Sequence, residues 1–450
     1  MLYRKLKEKI KNWIKNGTKP MMITGARQVG KSFLIRETLK ESGVEYVELN
    51  FIKDISAKEM FESLFKDGQA SFKLKFSLLC KRTLPKGSIV FLDEVQEVKE
   101  VLTVLKFLAE QGDYRYILSG SLLGVELTNL RSAPVGYLES YEMYPLDLEE
   151  FFIANGLTKE LIDYLKDRFE SKEPVDETIH KTLMDSFYMY LVIGGMPEAV
   201  QTYVDTQDMN KVMSVHKNII NEYKRDFTKY EEKSKLKLIK TYELIPSELD
   251  SKNKRYQLTD LGKNTKFDRY ENSFNWLIDA GVAIPTYNVT EFQLPLEASK
   301  KSSLFKLFLS DVGLLSSMYG RATIAKMLNR GESINCGAIY ENFIAQEINA
   351  SGFKMYYFNN KKHGEVDFLI EYDESLLPIE VKSGKDYQVH SALTYFMQTP
   401  YFDRAIVFSN YNVSVNDKIV YLPIYMAMFL KDVSPIGKIG KIDLSSLKIQ

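Results

Sequence analysis

The run Gly25-Ala26-Arg27-Gln28-Val29-Gly30-Lys31-Ser32 constrains this chain more than any other part of it. Two glycines separated by four residues, then Lys and a hydroxyl residue, form a loop whose backbone can turn tightly and aim successive N–H groups at an anion. The context agrees. The strand-like Lys-Pro-Met-Met-Ile-Thr precedes the run and the helix-like Ser-Phe-Leu-Ile-Arg-Glu-Thr-Leu-Lys follows it. A helix N-terminus at Gly30 adds its own attraction for negative charge. The loop from Gly25 to Phe33 is therefore expected to cradle the phosphates of a nucleotide, with Lys31 reaching the β/γ-phosphates and the Ser32 hydroxyl on Mg²⁺.

A second run supplies the partner. Ser88–Gln96 reads SIVFLDEVQ, four apolar residues followed by two acids, roughly 60 residues after the phosphate loop. A buried strand there delivers Asp93 to the loop as a metal-holding carboxylate. Glu94, one residue on, is placed to polarise an attacking water. Water rather than a kinase substrate is thus the expected acceptor, and no guanine-reading NKxD motif is evident in this part of the chain.

Composition narrows the rest. Lys+Arg and Asp+Glu each total 60 in 450 residues, so no whole-chain field selects nucleic acid or membrane as partner. With 45% hydrophobic residues the chain can build a core in each of about three domains. Two cysteines, Cys80 and Cys336, and four histidines argue against a disulfide framework or a Cys/His metal module. The charged N-terminal segment does not read as a signal peptide, and the apolar run near residue 425 is 12 residues long against the about 20 a bilayer span needs. A soluble, cytoplasmic protein without a membrane partner is expected.

Pattern changes along the chain mark the expected organisation. Residues 1–150 alternate short apolar runs with helix-like segments, which predicts an α/β domain with a parallel sheet. Residues 151–230 read as a helical lid region. Residues 231–330 read as helices followed by the strands Val282–Val289 and Ser303–Ser310, as in a winged helix. Residues 331–435 return to α/β, and 436–450 form a tail. Segment 201–330 is the basic one, at about +5 by side-chain count, against about −3 for 331–450. Lys252–Arg255, Lys300–Lys301 and then Lys263, Lys266 and Arg269 are its candidate contacts to DNA.

The last α/β segment carries a second constellation. Asp367 sits in one apolar strand, and Glu380-Val381-Lys382 follows 13 residues later in the next. Residues two apart in a strand share a face, so Glu380 and Lys382 project together. Glu341, on the preceding helix, adds a further carboxylate. Asp367, Glu380 and Glu341 are candidate Mg²⁺ ligands for phosphodiester hydrolysis, with Lys382 orienting water or stabilising developing charge. The pattern resembles the PD-(D/E)xK nuclease signature, with Val366 where that signature has Pro.

The combination GARQVGKS, LDEVQ, SGS and YPLDLEEF resembles a family of bacterial and archaeal AAA+-type ATPases. The likeness continues through GGMPEAV, NEYKRDF, WLIDAGV and FKLFLSDVGLL, over roughly residues 1–430. It implies an ATPase core, helical and winged-helix parts and a C-terminal restriction-endonuclease-like domain. It also implies ATP as nucleotide, a γ-phosphate-sensing residue at Ser119 or Ser121, a homo-oligomer, and Arg131 as the candidate arginine finger. The sequence departs from many relatives at Val135-Gly136-Tyr137, where they have a Gly-Arg pair. The expectation is an enzyme, an ATPase whose nucleotide cycle controls a Mg²⁺-dependent nuclease-like domain acting on DNA or RNA. The alternative is a nucleotide-switched protein whose C-terminal domain binds nucleic acid or a partner without cutting.

Overall fold

The computed structural model describes residues 2–67, 72–80, 83–98, 101–121, 136–227, 232–251, 254–261, 267–329, 336–360 and 362–431. Arg131, Val135, Lys252, Lys263, Lys266 and the tail 436–450 lie outside them.

The N-terminal part interleaves α1 (Leu6–Asn16), β1 (Met21–Thr24), α2 (Lys31–Ser42), β2 (Tyr46–Asn50), α3 (Ile55–Asp67), α4 (Phe72–Leu79), β3 (Ile89–Asp93), α5 (Val101–Gln111), β4 (Arg115–Ser119) and β5 (Glu139–Glu142). The five strands form a parallel sheet in the order β2-β3-β4-β1-β5. Consecutive side chains of β3 enter opposite cores, which is why the strand is apolar throughout. Ile89 and Phe91 pack with Ile10 of α1 and Leu34 of α2. Val90 and Leu92 pack with Phe61 of α3, Phe76 of α4 and Leu105 of α5. Because β4 lies between β1 and β3, its carboxyl end sits between the phosphate loop and Asp93.

Helices α6 (Leu148–Ala154), α7 (Lys159–Ser171), α8 (Glu177–Ile193), α9 (Pro197–Thr206), α10 (Met209–Phe227), α11 (Glu232–Asp250), α12 (Leu258–Leu261) and α13 (Glu271–Asp279) follow. Next come β6 (Ala283–Val289), β7 (Lys300–Leu309), α14 (Val312–Tyr319), α15 (Arg321–Leu328), α16 (Gly337–Ala350), β8 (Tyr356–Asn360), β9 (Gly364–Tyr372), β10 (Ser375–Val381), α17 (Ser391–Met397), β11 (Ala405–Ser409), β12 (Ser414–Asn416) and β13 (Ile419–Pro423). The expected helices-then-hairpin pattern is present in α11–α13 and β6–β7, but the hairpin does not stand alone. Strand β6 pairs in parallel with β8 through Tyr287↔Tyr356 and Asn288↔Tyr357. One eight-stranded sheet results, in the order β12-β13-β11-β10-β9-β8-β6-β7. A hairpin strand with an open edge and an apolar face gains backbone partners by joining a neighbouring sheet. The boundary expected at 330/331 therefore runs through a shared sheet. Helices α6 to α16 and one face of that sheet also share a single core, from Phe151 and Phe187 to Phe343 and Ile379.

Three of the runs quoted above meet in this core. Leu146 of YPLDLEEF exchanges backbone contacts with the GGMP turn, its N–H donating to the Gly195 carbonyl at 2.7 Å. The Gly195 N–H donates to buried Asp311 of SDVGLL at 2.6 Å, and Asp311 also caps α14 through the Leu314 N–H at 2.9 Å. A Cβ on Gly195 would lie 2.0 Å from the Leu146 carbonyl oxygen, a backbone atom that cannot swing aside. Gly195→Ala must separate these segments, at a cost of about 3 kcal/mol, the upper range for overpacking a core. The expected result is a thermal unfolding midpoint several degrees below wild type; an unchanged midpoint would remove the junction from the account.

Candidate nucleotide site and carboxylate cluster

The phosphate loop leaves β1 and enters α2 as its sequence requires. Gly25 and Gly30 take φ of 133° and 91°, and Gly30 stands at the N-terminus of α2. Lys31 is buried, and its Nζ donates to the carbonyls of Gly25 at 2.9 Å and Ala26 at 2.7 Å. Burial lowers its pKa to about 8, against the opposing pull of Glu94 and Asp93. A desolvated ammonium of this kind gains from an anionic partner, which phosphate oxygens provide.

Three side chains expected at this site come together. Ser32 Oγ donates to Asp93 Oδ1 at 2.6 Å, Ser119 Oγ donates to the same oxygen, and the two hydroxyls are 3.4 Å apart. Hydroxyl and carboxylate oxygens are the hard donors Mg²⁺ prefers, so Ser32 and Asp93 fit the ion together with phosphate oxygens. Asn50, at the end of β2 and in register with Asp93, holds Asp93 Oδ2 through Nδ2 at 2.8 Å. The sequence reading missed Asn50, whose one signal is its place at a strand end. Glu94 takes a left-handed backbone, φ 57°, and its Oε2 accepts from Gln96 Nε2 at 2.6 Å. Such strain in a non-glycine residue turns Glu94 out of the strand line beside Asp93. A cleft of about 330 Å³ is lined by Lys31, Ser32, Asp93, Glu94, Ser119 and Ser121, among others.

The cleft has a second wall that sequence did not reveal. Helix α10 ends against the phosphate loop. Arg27 Nη1 pairs with Asp226 at 2.7 Å, Gln28 Nε2 donates to Glu222, and the Tyr223 hydroxyl donates to the Arg27 carbonyl at 3.1 Å. Arg27 also reaches Ser121 Oγ at 3.4 Å. Gly281, in the turn before β6, lies so close that a Cβ there would be 3.2 Å from the Ala26 nitrogen. These residues belong to the NEYKRDF and WLIDAGV runs, about 200 and 250 positions away. A cavity of about 210 Å³ adjoins the loop at Gly30 and Phe33, walled by Leu2, Val29, Met143 and Pro197, with Gln201 at its edge.

In the C-terminal part, β9 and β10 form the expected antiparallel pair, with Phe368 opposite Ile379. Asp367 Oδ2 accepts from the Val381 N–H at 2.9 Å, and Lys382 Nζ donates to Glu380 Oε1 at 2.8 Å. Burial, with the Asp367 charge adding to it, raises Glu380 to about 8. Glu380 Oε2 has no hydrogen-bond partner. Among the described residues no three His, Cys, Asp or Glu side chains form a metal-holding group. Glu341 is instead engaged by Lys254 Nζ and by Lys306 Nζ, the latter at 3.5 Å. Burial and the Asp367 charge raise the pKa of Glu341, against the two lysines. Burial alone would lower Lys306, but Glu341, Glu365 and Asp367 hold it above the usual lysine range. Lys254, expected as a phosphate contact, is thus committed to Glu341. Lys300 pairs with Glu297 at 2.7 Å, while Lys301 is exposed. His363, a polar-turn residue, stacks on Tyr395 with ring centroids 3.7 Å apart. Trp13 and Trp276 are core residues.

Comparison with known proteins follows the same division. Residues 17–152 match the family model of an AAA domain. Residues 184–324 and 336–426 each match a domain of unknown function, DUF8612 and DUF4143 respectively. No curated protein matches the chain. Among solved structures, a Walker-type ATPase of Pyrococcus abyssi is similar at TM-score 0.42 and 14% identity, over 71% of this chain and 96% of that one. The ORC1 protein of Aeropyrum pernix, in complex with DNA, is similar at TM-score 0.30 and 12% identity, over 74% of this chain and 94% of that one. No helix among the described residues is long and apolar enough to cross a membrane. With its parallel sheet, its phosphate loop and the match over residues 17–152, the N-terminal part of this chain carries a P-loop domain of the AAA type.

Proposed function

We propose that the chain is an ATP-driven switch, in which Mg²⁺-dependent hydrolysis at the phosphate loop changes how the helical and C-terminal parts are held. Ser32 and Asp93 hold the ion, Lys31 and the loop N–H groups hold the phosphates, and Glu94 activates water. Ser119, bonded to the metal-holding oxygen, senses the γ-phosphate. The purine base enters the apolar cavity beside Phe33, between the first residues of the chain and α9. Gly30 and Phe33 line both cavities, which is what a ligand with phosphates in one and a base in the other requires.

The observation that carries the switch is the direct seating of α10 on the loop through Arg27–Asp226. A phosphate competing for Arg27 alters that contact, and α10 shares a core with the C-terminal sheet. The C-terminal domain, whose meander β8–β9–β10 followed by a parallel β11 favours a restriction-endonuclease-like fold, is read as the output. Its Lys306-filled carboxylate cluster favours binding of nucleic acid over cutting it. Assembly into a homo-oligomer belongs to the same reading.

Hydrogen exchange tests the coupling. ATP is expected to change amide protection in α10 and in β6–β7. In Asp226→Ala the nucleotide still binds, with Kd within about threefold, while the change in β6–β7 is lost and turnover falls about tenfold, equivalent to about 1.4 kcal/mol in the activation barrier. Equal exchange with and without ATP in the wild type would refute the switch.

A further inference from the structure

We infer that Lys306 is the resident cation of the Glu341–Glu365–Asp367 cluster, and that these carboxylates hold the β6–β7 hairpin in place of a divalent metal. The inference deepens the non-cutting reading of the C-terminal domain and does not depend on nucleotide coupling. Lys306 lies on β7, outside the segment that carries the nuclease-like pattern, and its side chain is fully buried. Its Nζ lies 2.5 Å from Glu365 Oε1, 3.5 Å from Glu341 Oε2 and 3.9 Å from Asp367 Oδ1. It also stands over the Tyr357 ring, 5.2 Å from the centroid.

A buried ammonium surrounded by three carboxylates satisfies the electrostatic need that a metal otherwise would. Mg²⁺ demands near-octahedral oxygens at about 2.0–2.1 Å, and a second cation beside a desolvated ammonium is repelled. Lys254 on Glu341 and Lys382 on Glu380 take up two more of the charges. Four carboxylates, Glu341, Glu365, Asp367 and Glu380, thus face three lysines. Lys306 cannot leave by a rotamer change alone, because its backbone is paired on one side with β6 and its side chain has no solvent-facing part. The cation is supplied by the hairpin that directly follows Gly281, the turn residue lying against the phosphate loop at Ala26.

The test is Mn²⁺ titration of the full-length protein without nucleotide, comparing wild type, Asp367→Asn, Lys306→Ala and the double variant. Any Mn²⁺ taken up at Ser32 and Asp93 is common to all four. Wild type and Asp367→Asn are expected to give the same isotherm. Lys306→Ala is expected to gain an Asp367-dependent site, at least tenfold tighter than any in the wild type and absent from the double variant. Asp367-dependent Mn²⁺ binding in the wild type would overturn the inference, as would a folded Lys306→Ala protein that gains no site. Should Lys306→Ala not fold, the wild-type and Asp367→Asn comparison decides. Loss of the ATP-driven exchange change described above would overturn the switch but leave this result standing.

Discussion

Lys31→Ala is expected to reduce ATP hydrolysis by about 10³-fold or more, to the limit of a phosphate-release assay, and to weaken ATP binding by one to two orders of magnitude. The reason lies in where the ammonium sits. It is buried at the start of α2, held by two carbonyls of its own loop, and lowered by desolvation to about 8. A charge-assisted bond to phosphate contributes about 1.5–3 kcal/mol to binding. The remainder is lost in the transition state, where charge on the transferring phosphoryl group is met by the same ammonium. Removing a desolvated charge does not unfold the domain, so the thermal midpoint is expected to stay close to wild type. Turnover within tenfold of wild type would show that phosphate is held elsewhere.

Glu94→Gln separates binding from chemistry. The amide is isosteric and still fills the cleft, but it cannot take a proton from water. Loss of a positioned general base costs about 10²–10⁴-fold in rate. The expected protein therefore binds ATP with near wild-type affinity and retains it uncleaved for many wild-type turnover times. Single-turnover and binding measurements on one preparation give both numbers. A kcat within threefold of wild type would transfer the base role away from Glu94. The left-handed backbone at this position adds a control. Glu94→Gly relieves the strain and also removes the carboxylate, so it should lose activity to the same extent without loss of stability.

The N-terminal domain was legible because its signals are local. A glycine-bracketed loop before a Lys-Ser pair, and four apolar residues before two acids, each report on a few consecutive dihedrals and on which faces of a strand are buried. Asp93 and Ser119 could be assigned to strand ends without any knowledge of strand order. Asn50 could not, since an Asn after a strand is an ordinary turn residue until β2 is known to lie beside β3. Asp226 was less accessible still. It sits 199 positions from Arg27 on a helix whose sequence shows only that one face is apolar. The nuclease-like pattern reads correctly as two paired strands, yet its electrostatics cannot be read from those strands. The decisive charge, Lys306, arrives from β7, about 60 residues earlier.

Sequence alone determined the elements and their chemistry: the phosphate loop, the paired acids, the parallel α/β order and the Asp367/Glu380/Lys382 spacing. Helix caps, glycine torsions and strand alternation act over a few residues, so their instructions are written where they operate. Only the tertiary structure decided which of these groups meet. It seated α10 on the loop, merged the β6–β7 hairpin into the C-terminal sheet, and brought the Lys306 ammonium to Glu365 and Glu341. Sheet joining, core sharing and charge pairing depend on three-dimensional proximity, and Coulomb and packing energies carry no record of sequence separation.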